Sequence, residues 1–233
     1  MDLNQRKEWN QNHKKLTSII LKPNEHKTAV AIFLNQHRLL HASGMSNSPV
    51  ATLEDDLMND MSEEIFRQYP AEAPDTKNSI AWHLWHVTRI EDMAMNVLLV
   101  GDQQVLHTDH WAEKLKVKYV HSGNEMTAYE IADLSATIDI QALMAYRMEV
   151  GRRTREVVSS LSPGAFKHKV DPKRLGRLEE QGAVKKEASW LPDYWGGKTI
   201  GGLILMPATR HIFLHLNKSI RVKERMLKKR VSR

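Results

Sequence analysis

The chain contains no cysteine. This absence excludes disulfide bonds, cysteine-ligated zinc, iron–sulfur clusters and a nucleophilic thiol on the protein itself. No apolar run approaches the roughly 20 residues that a membrane-spanning helix needs, and the first residues lack the apolar core of a secretory signal. We therefore expect a cytoplasmic protein with no membrane partner.

Patterns typical of β-strands are also missing, because no alternating apolar run is bounded by turn residues. The 233 residues are 41% hydrophobic and 27% charged, which is ordinary for a globular protein. Apolar residues recur at spacings of three and four along most of the chain, as in amphipathic helices. The sequence predicts an all-α fold: a four-helix bundle with short accessory helices and a long crossover before the last helix.

We divide the chain into a polar N-terminal leader (1–22), a helical bundle domain (23–217) and a basic C-terminal helix end (218–233). Proline, glycine and capping residues bound the predicted elements of the bundle. The expected long helices are Pro23 to about Ser43, about 79–100, about 135–161, and Thr199 onward into the basic end. Short helices are expected within 51–70, a loop at 101–124 and the crossover at 162–198.

The net charge of +6 is concentrated at the C-terminal end, where eight lysines and arginines accompany one acid, Glu224. The rest of the chain is therefore close to neutral. Cations are mildly favoured near a helix C-terminus, so a solvated helix end explains the run. We do not expect a nucleic-acid partner, because no recognition module accompanies these cations.

Histidine is abundant, with twelve in the chain. Eight of them form pairs at helical or near-helical spacing: His37/His41, His83/His86, His107/His110 and His211/His215. Residues three or four apart share a helix face, so two imidazoles can bind one ion at about 2.0–2.1 Å each. A third histidine from a neighbouring helix would leave coordination positions open for water and substrate, as in catalytic sites.

Each pair also has a plain structural interpretation. His37 and His41 lie at the end of the first predicted helix, where imidazoles interact with the dipole and the last carbonyls. His107 and His110 fall in a polar loop, where we expect them to be solvated. His211 and His215 lie in an apolar stretch, which suits a metal site and a hydrogen-bonded core histidine equally well, and spacing alone does not name a third ligand.

Two motifs, one typical of nucleotide-binding proteins and one of zinc proteases, are each excluded because one required residue is missing. The segment Gly197-Lys198-Thr199 resembles the end of a phosphate-binding loop, but Pro192 stands where that loop needs glycine. The pair His211/His215 lacks the glutamate of zinc proteases, since Ile212 follows the first histidine.

Two further features flank the last helix. The aromatic segment from Trp190 to Trp195 either covers the mouth of the bundle and shapes a pocket, or packs as ordinary core at the bundle end. Pro207 lies one turn before His211. Within a helix it would remove a backbone hydrogen bond and re-aim the histidines, whereas at a helix start it would be an ordinary N-terminal proline.

Two segments carry a family resemblance: Asn78-Ser79-Ile80-Ala81-Trp82-His83-Leu84-Trp85-His86-Val87-Thr88-Arg89-Ile90-Glu91-Asp92 and Pro207-Ala208-Thr209-Arg210-His211-Ile212-Phe213-Leu214-His215. With them the sequence resembles the DinB-like (DinB/YfiT) superfamily, over roughly residues 25–225 and weakly outside these segments. The resemblance implies a four-helix bundle that binds a divalent ion through one histidine of the second helix and two of the last. By position these are His86, His211 and His215.

His83 lies one turn before His86 and is the alternative second-helix ligand if the register differs. Otherwise we expect it to be a hydrogen-bond partner of a ligand or a proton carrier. Many relatives have an Arg-Gly-Gln-like turn after the last histidines. This chain has Leu216-Asn217-Lys218 there, so no role of that turn is transferred.

The resemblance also implies an activity: thiol-dependent isomerisation of the maleylpyruvate type, or transfer of a small thiol such as bacillithiol to an electrophile. We expect a divalent transition metal, zinc or nickel first, a low-molecular-weight thiol cosubstrate, a small-molecule substrate and, from the family alone, a homodimer. A metal-dependent hydrolase and a non-catalytic, stress-related helical scaffold are the alternatives. Three neutral imidazoles would leave the ion its full charge, which favours the deprotonated form of water or a thiol.

Overall fold

A computed structural model describes residues 3–231 of the chain. No β-strand occurs within these residues, so the predicted all-α fold is confirmed. The helices are α1 (Leu3–Ile19), α2 (His26–Arg38), α3 (Leu53–Met58), α4 (Glu63–Arg67), α5 (Ile80–Asp92), α6 (Trp111–Lys114), α7 (Ala128–Thr137), α8 (Ile140–Ser160), α9 (Pro172–Glu180), α10 (Trp190–Gly196), α11 (Ile200–Leu205) and α12 (Ile212–Val231). In the part described, no helix is both long and apolar enough to cross a membrane.

Helix α5 lies at the centre, and all of its residues are buried. It begins at Ser79, whose hydroxyl accepts a hydrogen bond from the backbone N–H of Trp82 and caps the helix. A π-helical segment, Met93–Val100, continues it. Gly101 ends this segment with φ +80°, a left-handed conformation that glycine adopts without a Cβ clash. Helices α8 and α12 pack against α5, as expected in a helical bundle.

The third long helix differs from the prediction of one helix over 135–161. The chain forms α7 and α8 instead, separated by Ile138 and Asp139 in extended conformations. Asp139 caps α8, since its carboxylate accepts a hydrogen bond from the backbone N–H of Ala142 at 3.1 Å. The apolar spacing continues through this break, which is why periodicity alone joins the two helices.

The last long helix is interrupted at Pro207. A π-helical segment, Met206–His211, joins α11 to α12. Proline lacks the N–H that continues an α-helical ladder, so its place inside this segment explains the local change of winding. The hydroxyl of Thr209, in this segment, lies 2.9 and 2.8 Å from the carbonyl oxygens of Ile204 and Leu205 at the end of α11, to which it donates.

Residues 1–22, described above as a polar leader, contain α1. This helix packs against α2, and the ring of Trp9 stacks on Phe213 of α12 with ring centroids 4.0 Å apart. The segment 1–22 thus contains a helix that packs on the bundle. Few residues of this segment are apolar, because only a narrow stripe is buried and the opposite face is polar. The stripe consists of Trp9, Leu16 and Ile20. Residues 1–2 of this segment lie outside the described residues.

The basic end forms the last turns of α12, and several of its cations have acidic partners. Ion pairs join Arg221 to Asp75, Lys229 to Glu72 and Arg230 to Glu64. Lys223 donates to the carbonyls of Asp56 and Leu57 at 3.1 and 3.0 Å. The three ion pairs neutralise part of the charge that a nucleic acid would need. Residues 232–233 of the basic end lie outside the described residues.

Candidate metal centre

Three histidines from two helical units meet in the interior. His86 comes from α5, while His211 ends the π-helical segment and His215 follows one turn later on α12. Each offers a ring nitrogen, and these three atoms lie within 4.8 Å of one another. The Nε2 atoms of His86 and His211 are 3.2 Å apart, close to the roughly 3.3 Å between two ligands of a tetrahedral zinc ion.

The ring of His86 is held on both sides. Its Nδ1–H donates to the carbonyl oxygen of Ser122 at 2.7 Å, and the indole of Trp82 stacks on it at 4.6 Å. Because a carbonyl only accepts, the hydrogen lies on Nδ1 and the lone pair lies on Nε2, toward His211. Metal-binding histidines are typically oriented by such a partner on the other ring nitrogen.

His83 lies beside this group and contacts one member of it. Its Nδ1 is 2.9 Å from Nδ1 of His215, and its Nε2 is 3.0 Å from the hydroxyl of Thr76. The three nitrogens that converge are thus those of His86, His211 and His215, with His83 hydrogen-bonded to the last of them.

Burial favours neutral rings throughout this cluster. Desolvation lowers the pKa of His86 to about 4 and, with a contribution from His86, that of His83 to about 3. The pKa values of His211 and His215 are also lowered by burial and by the neighbouring imidazoles. Neutral imidazole is the form that binds a metal ion.

A cavity of about 180 Å³ reaches the histidines from the surface. His86 and His211 form part of its wall, and α10 supplies aromatic side chains, including Trp190, Tyr194 and Trp195. Trp195 is buried, whereas Trp190 and Tyr194 are 48% and 41% exposed. The aromatic segment therefore combines both interpretations given above, since one ring packs in the core and the others edge an opening.

A network of buried charges attaches the 101–124 loop to α5. Asp92 accepts hydrogen bonds from the backbone N–H groups of Val105 and Leu106 at 2.8 and 3.0 Å. Arg89 donates to Asp92 at 3.1 Å and to the carbonyl of Val120 at 2.8 Å. Since Val120 lies two residues before Ser122, the network positions the carbonyl that orients His86.

The donor set fits a divalent transition metal. Three neutral imidazole nitrogens converge, and the hydrogen on Nδ1 of His86 leaves the lone pair of its Nε2 available to an ion. Imidazole suits zinc, nickel, iron and copper alike, so the ligands do not choose the metal.

The two remaining histidine pairs differ in burial. His107 and His110 are exposed, as expected for loop residues. His37 and His41, which the helix-end interpretation placed beside carbonyl groups, are instead completely buried against the carboxylate of Glu91. This correction could not come from spacing, because Glu91 lies 50 residues further along the chain.

A family model described as the DinB superfamily matches residues 51–215, which include both histidine-bearing segments. No curated protein matches the chain at a significant level.

Proposed function

Because the chain belongs to the DinB superfamily, we propose that it is a metal-dependent enzyme whose ion is held by His86, His211 and His215. The single observation that supports this proposal best is the convergence of three neutral imidazole nitrogens beside a cavity, with two of the histidines, His86 and His211, in its wall. Structural metal sites are closed, whereas a site that borders a cavity can accept a substrate.

The reaction that we propose is transfer of a low-molecular-weight thiol to a small electrophile, or a thiol-dependent isomerisation. A divalent ion at this position would supply Lewis-acid chemistry that favours the thiolate over the thiol. The thiol must come from a cosubstrate, since the chain contains no cysteine. Zinc and nickel are the ions that we would test first.

His83 has a positioning role in this proposal. One of the two Nδ1 atoms in its contact with His215 must carry a hydrogen. When Nδ1 of His215 is the donor, this hydrogen bond restrains the ring and leaves the lone pair on Nε2 for an ion, as outer partners of metal-binding histidines do. Thr76 restrains His83 in turn through its hydroxyl.

The cavity favours a small substrate with an apolar part. Its wall includes Ile90, Leu191 and Met206 beside the aromatic rings of α10, and Asn124 adds a polar side chain. Apolar walls with few polar groups bind ligands by excluding water and orient them through those polar groups. We therefore expect replacement of Trp190 to weaken substrate binding more than metal binding.

Metal analysis of protein purified without a histidine tag tests the first step. We expect zinc- or nickel-loaded protein to hold the ion at the candidate centre and His211→Ala to lose it. His168→Ala is the matched control, because His168 is an exposed histidine of the crossover. Wild-type protein with less than about a tenth of an equivalent of metal after incubation with zinc and nickel would contradict the proposal.

A turnover screen tests the second step, with small thiols combined with electrophiles on loaded wild-type protein, His211→Ala and His168→Ala. We expect thiol consumption only in the proteins that keep the metal. Ester or amide cleavage without thiol would identify the hydrolase alternative. Identical progress curves for wild type and His211→Ala, with a change in thermal stability alone, would instead identify a non-catalytic scaffold.

A further inference from the structure

A second group of ligand-type side chains lies on another face of α5. Glu91 follows His86 by five residues, which is about 140° around the helix axis and about 7.5 Å along it. His37, at the end of α2, and His41, just after it, both face this carboxylate. All three side chains are completely buried, unlike the histidines that border the cavity.

The contacts within this group are incomplete. Nε2 of His37 is hydrogen-bonded to one carboxylate oxygen of Glu91 at 2.7 Å. Nε2 of His41 is 3.2 Å from the other oxygen, yet neither of these two atoms has a hydrogen-bond partner among the described residues. The close approach without hydrogen-bond alignment means that nitrogen and oxygen do not point at each other. Two ligands of one metal ion are arranged in this way, because each points toward the ion and not toward the other ligand.

The charge of the group also requires a cation. A buried carboxylate between two neutral imidazoles leaves one negative charge, and an uncompensated buried charge is strongly unfavourable. Either a proton on one ring or a metal ion can balance it. Burial lowers the pKa of His37 to about 4, which favours its neutral ring, and Nε2 of His41 lies 3.2 Å from Glu91 without the alignment of a hydrogen bond. An ion bound by both would satisfy the two unpartnered atoms together.

We propose that His37, His41 and Glu91 bind a second divalent transition-metal ion with a structural role. The ion would take the place of the hydrogen between Nε2 of His37 and Glu91, and the ring would carry its hydrogen on Nδ1, which is buried without a partner. Two imidazoles and one carboxylate suit zinc, and also iron or manganese. The ion would join the end of α2 to the C-terminal end of α5, in a site closed to solvent. Gly151 of α8 leaves room for the ring of His41, since a Cβ there would lie 2.9 Å from its Nδ1.

The test counts zinc ions in protein that lacks the first centre. The double variant His86→Ala/His211→Ala would be unfolded in urea with a chelator, refolded with excess zinc, desalted and measured by mass spectrometry of the metal. Refolding in zinc matters because a closed site fills as the chain folds. We expect about one equivalent of zinc in this variant and about two in wild-type protein treated in the same way.

Two additions to the double variant locate the ion. Adding Glu91→Gln should reduce zinc to less than about a tenth of an equivalent, whereas adding His26→Gln should leave about one. His26 is the matched control, since it is a buried histidine of α2 that bonds to the carbonyl of Leu161 instead. Zinc retained after Glu91→Gln would place the ion elsewhere and overturn the proposal.

A double variant with native circular dichroism and no zinc would overturn it as well. If Glu91→Gln prevents refolding, X-ray absorption of cobalt bound to the double variant decides the question instead. We expect scattering from two imidazole rings and an oxygen ligand; a sphere of oxygen ligands alone would refute the assignment.

Discussion

Asp92 provides a quantitative test of how the 101–124 loop is attached to the bundle. Its Oδ1 accepts from the side-chain amide of Asn96 and the N–H of Val105, both at 2.8 Å. Its Oδ2 accepts from the hydroxyl of Tyr146 at 2.6 Å, the N–H of Leu106 at 3.0 Å and Arg89 at 3.1 Å. Five donors thus converge on one fully buried carboxylate.

The variant Asp92→Asn removes the charge and turns one acceptor into a donor. The least costly arrangement places the new NH₂ at the Oδ1 position, where Asn96 can reverse its own amide. The N–H of Val105 then loses its partner, which costs about 1–3 kcal/mol. Arg89 also loses its buried counter-charge, and breaking such a pair costs about 3–5 kcal/mol. Because the two effects overlap, we expect a total loss of about 3–5 kcal/mol, a large part of a typical free energy of unfolding of about 5–15 kcal/mol.

Urea unfolding followed by circular dichroism at pH 7 measures this loss. Tyr146→Phe should cost less, about 1–2 kcal/mol, because the carboxylate keeps four donors. Glu180→Gln, at an exposed helix end, is the control and should stay within about 0.5 kcal/mol of wild type. A loss below about 1 kcal/mol for Asp92→Asn, with an unchanged urea slope, would refute the reasoning that the charge is needed.

Three further predictions concern the surroundings of the site. Gly123→Ala should weaken metal binding about 10- to 100-fold by isothermal titration, because Gly123 has φ +84° beside the ring of His86; unchanged affinity would contradict this. Thr127 and then Lys185 lower the pKa of Glu130 to about 2, so its contribution to stability is present above about pH 4.5 and is lost as pH falls toward 2. Glu130→Gln should therefore cost about 1 kcal/mol at pH 7, after allowance for solvent screening, and progressively less as pH falls toward 2; a pH-independent difference in urea titrations would be inconsistent with this. Truncation after Arg225 should cost about 1–3 kcal/mol, since it removes exposed ion pairs and the partly buried Met226, which packs on the core, and should leave any salt-sensitive polyanion binding unchanged; loss of such binding on a filter assay would restore the nucleic-acid hypothesis.

Much of the fold follows from local sequence signals. The apolar spacing and the capping residue Ser79 predict the central helix, and the end at Gly101 agrees with the left-handed conformation found there. The break between α7 and α8 was not predicted, because the apolar stripe continues through it and a single capping residue, Asp139, decides the geometry. Helix α1 was not predicted because its buried stripe is narrow, and so its average composition is polar.

The candidate centre, too, could be predicted from the sequence only in part. Spacing indicates His211 and His215, and the resemblance adds His86 from a different helix. The carbonyl of Ser122, which orients His86, has no sequence signal at all, because any residue carries a carbonyl. The partnership of Glu91 with His37 and His41 depends on how two helices pack, and periodicity gives no information on such contacts.

The backbone acceptor at Ser122 has a consequence for how the chain can vary. A side-chain partner of His86 could be lost in one codon change, but the carbonyl persists through every substitution at position 122. Selection would therefore act on the path of the turn, held by Gly123 and by the hydrogen bond from the Ser122 N–H to the Ala183 carbonyl at 2.8 Å. Homologous chains could keep the same orientation of the His86 ring with different side chains at position 122, and a sequence alignment would not detect this shared feature.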